Sequence, residues 1–200
     1  MPAPPELQYD TIYHIWNRGV NHSTIFRSDE NYRYFLGLFI HHIEPVAKTY
    51  AYCLLPNHFH FLVRTRTEEN QRAYRQAIQV GLAHCLPPSQ GFSNLFNAYV
   101  RAYNRRYQRT GGLFEDRFGR KPVDTDAYLT KLVVYIHQNP VRHGLVKRPE
   151  EWVYSSYDAL ATGRASRVCR DEVISWFGSA SNFEMVHREI VQTSEVSEDL

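Results

Sequence analysis

Apolar and polar positions follow two periods along the chain. Tyr9 to Trp16 is rich in Tyr, Ile, Thr and Trp and ends at the turn Asn17-Arg18-Gly19, which predicts a first strand. From Asp29 to about Ile43, Tyr32, Phe35, Leu36, Phe39, Ile40 and Ile43 share one face of a helix, with Ser28 as its cap and Pro45 as its stop. Val46 to Leu54 and His58 to Arg64 predict a second and a third strand, paired as a hairpin through Leu55-Pro56-Asn57. A helix is expected from about Glu68 to Cys85, then a loop over Pro87-Pro88-Ser89-Gln90-Gly91. Another helix runs from Ser93 to Gln108 and ends at Gly111-Gly112. Arg117 to Val123 reads as a fourth strand. Asp124 or Thr125 caps a further helix that runs to about Gln138 and stops at Asn139-Pro140. Beyond Pro149 the pattern breaks into short helical pieces, and Glu195 to Leu200 is an acidic end expected to fray.

Strands alternating with helices around one tight hairpin imply an α+β fold, a ferredoxin-like antiparallel sheet with helices packed on one face. Residues 1–157 are expected to form the main domain and 158–200 a C-terminal helical extension. Composition agrees with a folded chain: 43% of the 200 residues are apolar and 14% aromatic. The net charge of +2 permits an acidic partner without requiring one. Three scattered cysteines, Cys53, Cys85 and Cys169, make neither a disulfide framework nor a zinc motif, and suit a cytoplasmic setting. The start, Met1 to Glu6, has neither a basic region nor an apolar run, so no signal peptide is expected. No apolar stretch approaches the ~20 residues that span a bilayer.

Three segments carry candidate chemistry. On a strand, residues two apart share a face, so His58 and His60 project together and can share a metal ion, with Phe59 on the other side. The ordinary reading of an isolated His-x-His is a solvated sheet face. On the helix before Pro140, Leu129, Leu132, Val133 and Ile136 form the apolar stripe. Tyr135 and Asn139, four apart, share its flank. A tyrosine held there can act as a covalent nucleophile, and a carboxamide one turn on can offer an oxygen to the same metal. Among 14 tyrosines, most are packing residues, and an Asn before a Pro ordinarily ends a helix. Third, the run from Tyr99 to Arg109 interleaves Arg101, Arg105, Arg106 and Arg109 with tyrosines, and Arg117, Arg120 and Lys121 follow. Arginines bind phosphates and rings stack on unpaired bases; the competing reading is a solvated amphipathic helix.

Taken together, the chain resembles the REP-associated tyrosine transposases, relatives of the single-tyrosine insertion-sequence transposases. The matching stretches run in order from Tyr13-His14-Ile15-Trp16-Asn17-Arg18-Gly19 through Ala51 to Val63, which holds Pro56-Asn57-His58-Phe59-His60. Gly112-Leu113-Phe114, Tyr135-Ile136-His137-Gln138-Asn139-Pro140 continuing to Val146, and Trp152 to Tyr157 complete the set. The resemblance implies a His-hydrophobic-His endonuclease in which His58 and His60 bind Mg²⁺ or Mn²⁺. Tyr135 would form a 5′-phosphotyrosine bond with single-stranded, hairpin-bearing DNA and leave a free 3′-OH. In that superfamily a third ligand comes from the tyrosine's helix; Asn139 is the residue expected here, with Gln138 beside it, and His14 is a further site residue to consider. A monomer is favoured over a homodimer. Two alternatives stay open: a catalytically silent hairpin-binding protein, and a metal-dependent phosphodiesterase that uses water.

Overall fold

The computed structural model describes residues 6–79 and 85–189. Four strands, β1 (Ile12–Arg18), β2 (Ala47–Leu55), β3 (His58–Thr65) and β4 (Gly119–Pro122), form one antiparallel sheet in the order β2-β3-β1-β4. The predicted hairpin is present, with Leu55 opposite His58. Both β1 and β2 run antiparallel to β3, so they are parallel to each other and need a crossover. Helix α1 (Asp29–Ile43) supplies it. Helices α2 (Glu68–Ala77) and α3 (Pro88–Arg106) make the return from β3 to β4. The α+β, ferredoxin-like sheet is therefore as the pattern predicts.

Side-chain alternation splits the core into two layers. On one face Tyr13, Ile15, Phe59, Phe61 and Val63 meet Phe35 and Phe39 of α1 and Phe92, Leu95 and Tyr99 of α3. On the other, Ala51, Cys53, Leu55 and Leu62 meet Leu129, Leu132, Val133 and Ile136 of α4 (Asp126–Arg142). The short helices α5 (Tyr157–Thr162), α6 (Arg170–Phe177) and α7 (Ala180–Arg188) extend that second layer, with Leu160, Val173 and Phe183 fully buried. The expectation of helices on one face thus describes α1 and α3, and α4 with its followers covers the second. β3 is buried on both sides along most of its length, and a sheet built around such a strand is covered twice.

Several boundaries depart from the pattern. β1 begins at Ile12 and runs to Arg18, so Asn17 and Arg18 of the expected turn are strand residues paired with Phe59 and His58. α3 begins at Pro88, so the expected loop over residues 87–91 is largely helix. Its Gly91 is needed for close approach: a Cβ there would lie 2.6 Å from Val46 Cγ2. α2 ends at Ala77, and residues 80–84 of the longer helix expected there lie outside the described residues, as does the acidic end. α4 does not stop before Pro140 but runs through it to Arg142. In its last turn a proline costs one backbone bond, and His143 N–H to the Asn139 carbonyl (3.0 Å) and Leu145 N–H to the Pro140 carbonyl (2.9 Å) still close the helix.

The stretch after α4 seals an edge. Leu54 N–H donates to the Tyr154 carbonyl, Ser156 N–H to the Tyr52 carbonyl, and Trp152 Nε1–H to the Leu54 carbonyl, so the outer rim of β2 has partners. Among the described residues, no helix is long and apolar enough to cross a membrane.

Candidate active site

β3, β1 and α4 converge on a pocket of about 340 Å³ lined by Asn17, Arg18, His22, His58, His60, Tyr135, Asn139, Arg142 and His143, with Trp16 as part of its wall. Each lining position follows from local geometry. His58 and His60 share a face of β3, and across the ladder their partners on β1 are Arg18 and Trp16. Phe59, between the histidines, is fully buried in the opposite layer. α4 lies over this face of the sheet and presents Tyr135 and, one turn on, Asn139. The Tyr135 ring stands 5.5 Å from that of His60, which is 5.3 Å from that of His58. The four residues singled out in the sequence, from two distant stretches, are thus together. Gln138 does not line the pocket: its side chain donates to the His187 carbonyl of α7 at 2.5 Å.

The histidines are neutral. Burial, with His143 next in effect, pushes the His58 imidazole down to about 4, against the Asn139 side chain, which raises it. Burial, then His14 and His58, holds His60 well below its usual range. His14 falls to about 3, through burial and then Lys121. Neutral imidazoles are the form that binds metals.

The proton positions also suit a cation. His58 Nδ1 lies 2.7 Å from Asn57 Oδ1, an oxygen that only accepts, so Nδ1 carries the proton and Nε2 keeps its lone pair. Asn139 spends its NH₂ on the Tyr135 carbonyl at 2.9 Å, which leaves its oxygen for the pocket. His60 Nδ1 meets His14 Nε2 at 3.0 Å, while His60 Nε2 is buried with no hydrogen-bond partner among the described residues. With the proton on His60 Nδ1 and donated to His14 Nε2, the buried Nε2 carries a lone pair, which is costly to leave without a partner. No group of three or more His, Cys, Asp or Glu able to hold a metal occurs among the described residues. Two imidazoles and one carboxamide, from His58, His60 and Asn139, line the same pocket.

The basic residues divide differently from the sequence pattern. Tyr99 and Tyr103 are buried, and their hydroxyls donate to the Ile25 and Thr24 carbonyls at 2.6 and 2.7 Å, so those rings are core and not free to stack on bases. Arg101 and Arg105 are exposed, and Arg106 pairs with Glu30 at 2.7 Å. Arg109 holds the following loop through the Gly112 carbonyl at 3.0 Å. α3 packs on the Phe59 side of the sheet, so this helix lies in the layer opposite Tyr135. On β4, Arg120 is the ladder partner of Ile15 and sits 3.9 Å over the Phe118 ring in that same layer. Lys121 is the partner of His14 and lies on the histidine face. Arg117 is exposed, just ahead of β4.

Two cations that do line the pocket were not picked out in the sequence. Arg18 is the ladder partner of His58 and pairs with Glu115 at 2.7 Å. Arg142 lies seven residues after Tyr135, two turns on and on the same face, with its guanidinium 5.2 Å from the Tyr135 ring centroid. The strand register would have found the first, and a helix continued through Pro140 the second.

No family model matches the chain. A curated protein of Haemophilus influenzae that bears the name of a REP-associated tyrosine transposase is 32% identical over 111 residues, which is 55% of this chain and 58% of that protein. The chain thus aligns with less than two thirds of that relative's length. Among solved structures, a REP-associated tyrosine transposase bound to a REP hairpin superposes with a TM-score of 0.56. It covers 82% of this chain and 86% of its own at 16% identity. The resemblance to the REP-associated tyrosine transposases carried by the sequence motifs is therefore matched by a curated relative in sequence and by a solved structure in fold.

Proposed function

We propose that the protein is a transposase-like endonuclease that nicks and rejoins single-stranded, hairpin-bearing DNA through Tyr135, acting as a monomer. The observation that carries this reading is the single pocket that joins Tyr135 to His58, His60 and Asn139. Those three side chains are the ones proposed to hold Mg²⁺ or Mn²⁺, and the ion, when bound, supplies charge neutralisation and polarisation of the scissile phosphate. Tyr135 is held by its helix with its ring against His60 and Arg142. Its Oη forms a bond to phosphorus as the bond from phosphorus to the 3′ oxygen breaks. The phenol loses one proton to solvent and the departing oxygen gains one, which leaves a 3′-OH and a 5′-phosphotyrosine. The phosphoryl group stays activated on the tyrosine, so a 3′-OH can reverse the step and rejoin the strand. Arg18 and Arg142 are placed to bind phosphates flanking the reacting one. Lys121, on the same face, and the outlying Arg101, Arg105, Arg106, Arg109, Arg117 and Arg120 are proposed to contact the hairpin further out.

The test is incubation with hairpin-bearing single-stranded DNA and Mn²⁺, looking for a protein–DNA adduct that survives denaturation. Tyr135→Phe removes one hydroxyl and leaves the ring, so it is expected to keep the fold to within about 1 kcal/mol, together with metal and hairpin binding. Adduct and cleavage should vanish together. Cleavage without an adduct in the variant would make water the nucleophile. Equal inertness of both proteins would leave a hairpin-binding protein, and an adduct that persists would move the nucleophile to another tyrosine.

A further inference from the structure

Behind Tyr135, α4 is anchored by polar groups that have no part in the pocket. His137, two residues on, faces the opposite way and is fully buried. Its Nδ1 lies 2.9 Å from Nε2 of His187 on α7, and its Nε2 lies 2.7 Å from Ser156 Oγ. His187 Nδ1 lies 2.7 Å from the Phe183 carbonyl, and Ser156 Oγ accepts from Tyr52 N–H at 2.9 Å. The roles of every group in this chain follow from its ends. A carbonyl only accepts, so His187 Nδ1 donates and its Nε2 accepts. His137 Nδ1 must then donate, and its Nε2 accepts from the Ser156 hydroxyl. The series runs from β2 through Ser156 and α4 to α7 with no polar atom of either ring left over. A second bond, Gln138 to the His187 carbonyl, lies beside it.

A fully satisfied buried network fixes geometry more tightly than apolar contact, because each bond is directional and a shifted partner leaves an unpaired polar group. An apolar stripe alone would let α4 slide or roll on the sheet. We propose that His187, through His137, is a positioning residue for the nucleophile: the C-terminal helix α7 locks the rotation and height of α4, and so the places of Tyr135 and Asn139 in the pocket. The proposal rests on the reading of Tyr135 given above, and it assigns the segment after residue 157 a part in the reaction that no pocket residue reveals.

Two substitutions of similar bulk separate positioning from packing. His187→Leu fills the volume but offers no acceptor, whereas His187→Gln can place a carboxamide oxygen where Nε2 stands. In the full-length protein without DNA or metal, amide exchange at Tyr135–Asn139 should quicken in His187→Leu and return toward the parent rate in His187→Gln. With hairpin DNA at saturation and Mn²⁺, single-turnover adduct formation should slow roughly 10- to 100-fold in His187→Leu, with hairpin affinity unchanged, and recover in His187→Gln. Equal exchange and equal adduct rates in the two variants, or loss of folding in both, would reduce His187 to a packing residue and overturn the proposal. A parent protein that forms no adduct would sink the Tyr135 reading instead, while amide exchange still decides whether α7 holds α4.

Discussion

The buried imidazoles set the chemistry at the scale of single residues. His60 Nε2 has no hydrogen-bond partner among the described residues, and the neighbouring His58 Nε2 carries a lone pair into the same pocket. The His58→Ala, His60→Ala double variant is expected to lose Mn²⁺ binding by calorimetry; unchanged binding would place the ion elsewhere. A second consequence concerns pH. Burial lowers the His187 imidazole to about 4, against a bond with the Phe183 carbonyl that raises it. The unfolded chain therefore takes up a proton near the ordinary value of about 6.5 while the folded chain refuses it. The stability is whole above that pH and is lost as pH falls toward 4, by up to about 3 kcal/mol from this group. Denaturant unfolding of the parent between neutral pH and pH near 4 should show that loss, and His187→Leu should show a shallower one. Parallel curves would mean that His187 already titrates freely. Residues of this kind are poorly legible in sequence. His58 and His60 announce themselves by their spacing, but His137 and His187 are 50 apart, and only the folded chain makes them neighbours.

Elements decide which charges reach the site. The alternation of β3 could be read from Phe59 and Phe61 against His58 and His60, and with it the face on which the pocket lies. The end of α4 could not. A proline after Asn139 reads as a stop, yet in a last turn it removes a single bond, and the helix continues far enough to bring Arg142 round to Tyr135. The density of arginine and tyrosine on α3 left two readings open, and of its tyrosines Tyr99 and Tyr103 take the packing role, tying that helix to the loop before α1. These placements predict a split in kinetics. Charge reversal at Arg142 should lower the single-turnover rate at saturating hairpin DNA. Charge reversal at Arg101 and Arg105 should instead weaken binding and flatten its salt dependence, with the rate at saturation kept. If the α3 changes alter the rate and the Arg142 change does not, the scissile strand lies on the other face of the sheet.

On the scale of the whole molecule, the question is whether the chain after residue 157 is an appendage. Its sequence matches none of the motif stretches, and its short helices carry no pattern that points to a partner surface. In the folded chain, Val173 and Phe183 are fully buried in the same cluster as Leu132 and Val133 of α4 and Ala51 and Leu55 of β2. Phe177 and the aromatic faces of Tyr157 and His187 close around Phe183 at ring separations of 4.2 to 5.6 Å. A ring so enclosed leaves a cavity when truncated, so Phe183→Ala is expected to cost about 3–5 kcal/mol in denaturant unfolding. That is a large share of the roughly 5–15 kcal/mol by which domains of this size are stable. Deleting the chain from Gly163 onward should do worse, because it uncovers α4 on the side away from the sheet and leaves the His137 ring with one polar partner where it had two. The expected outcome is a single cooperative transition in the parent and no such transition in the truncated chain. A truncated protein that unfolds cooperatively at the parent's midpoint would show the extension to be separable, with the layer over the second face complete at α4 alone.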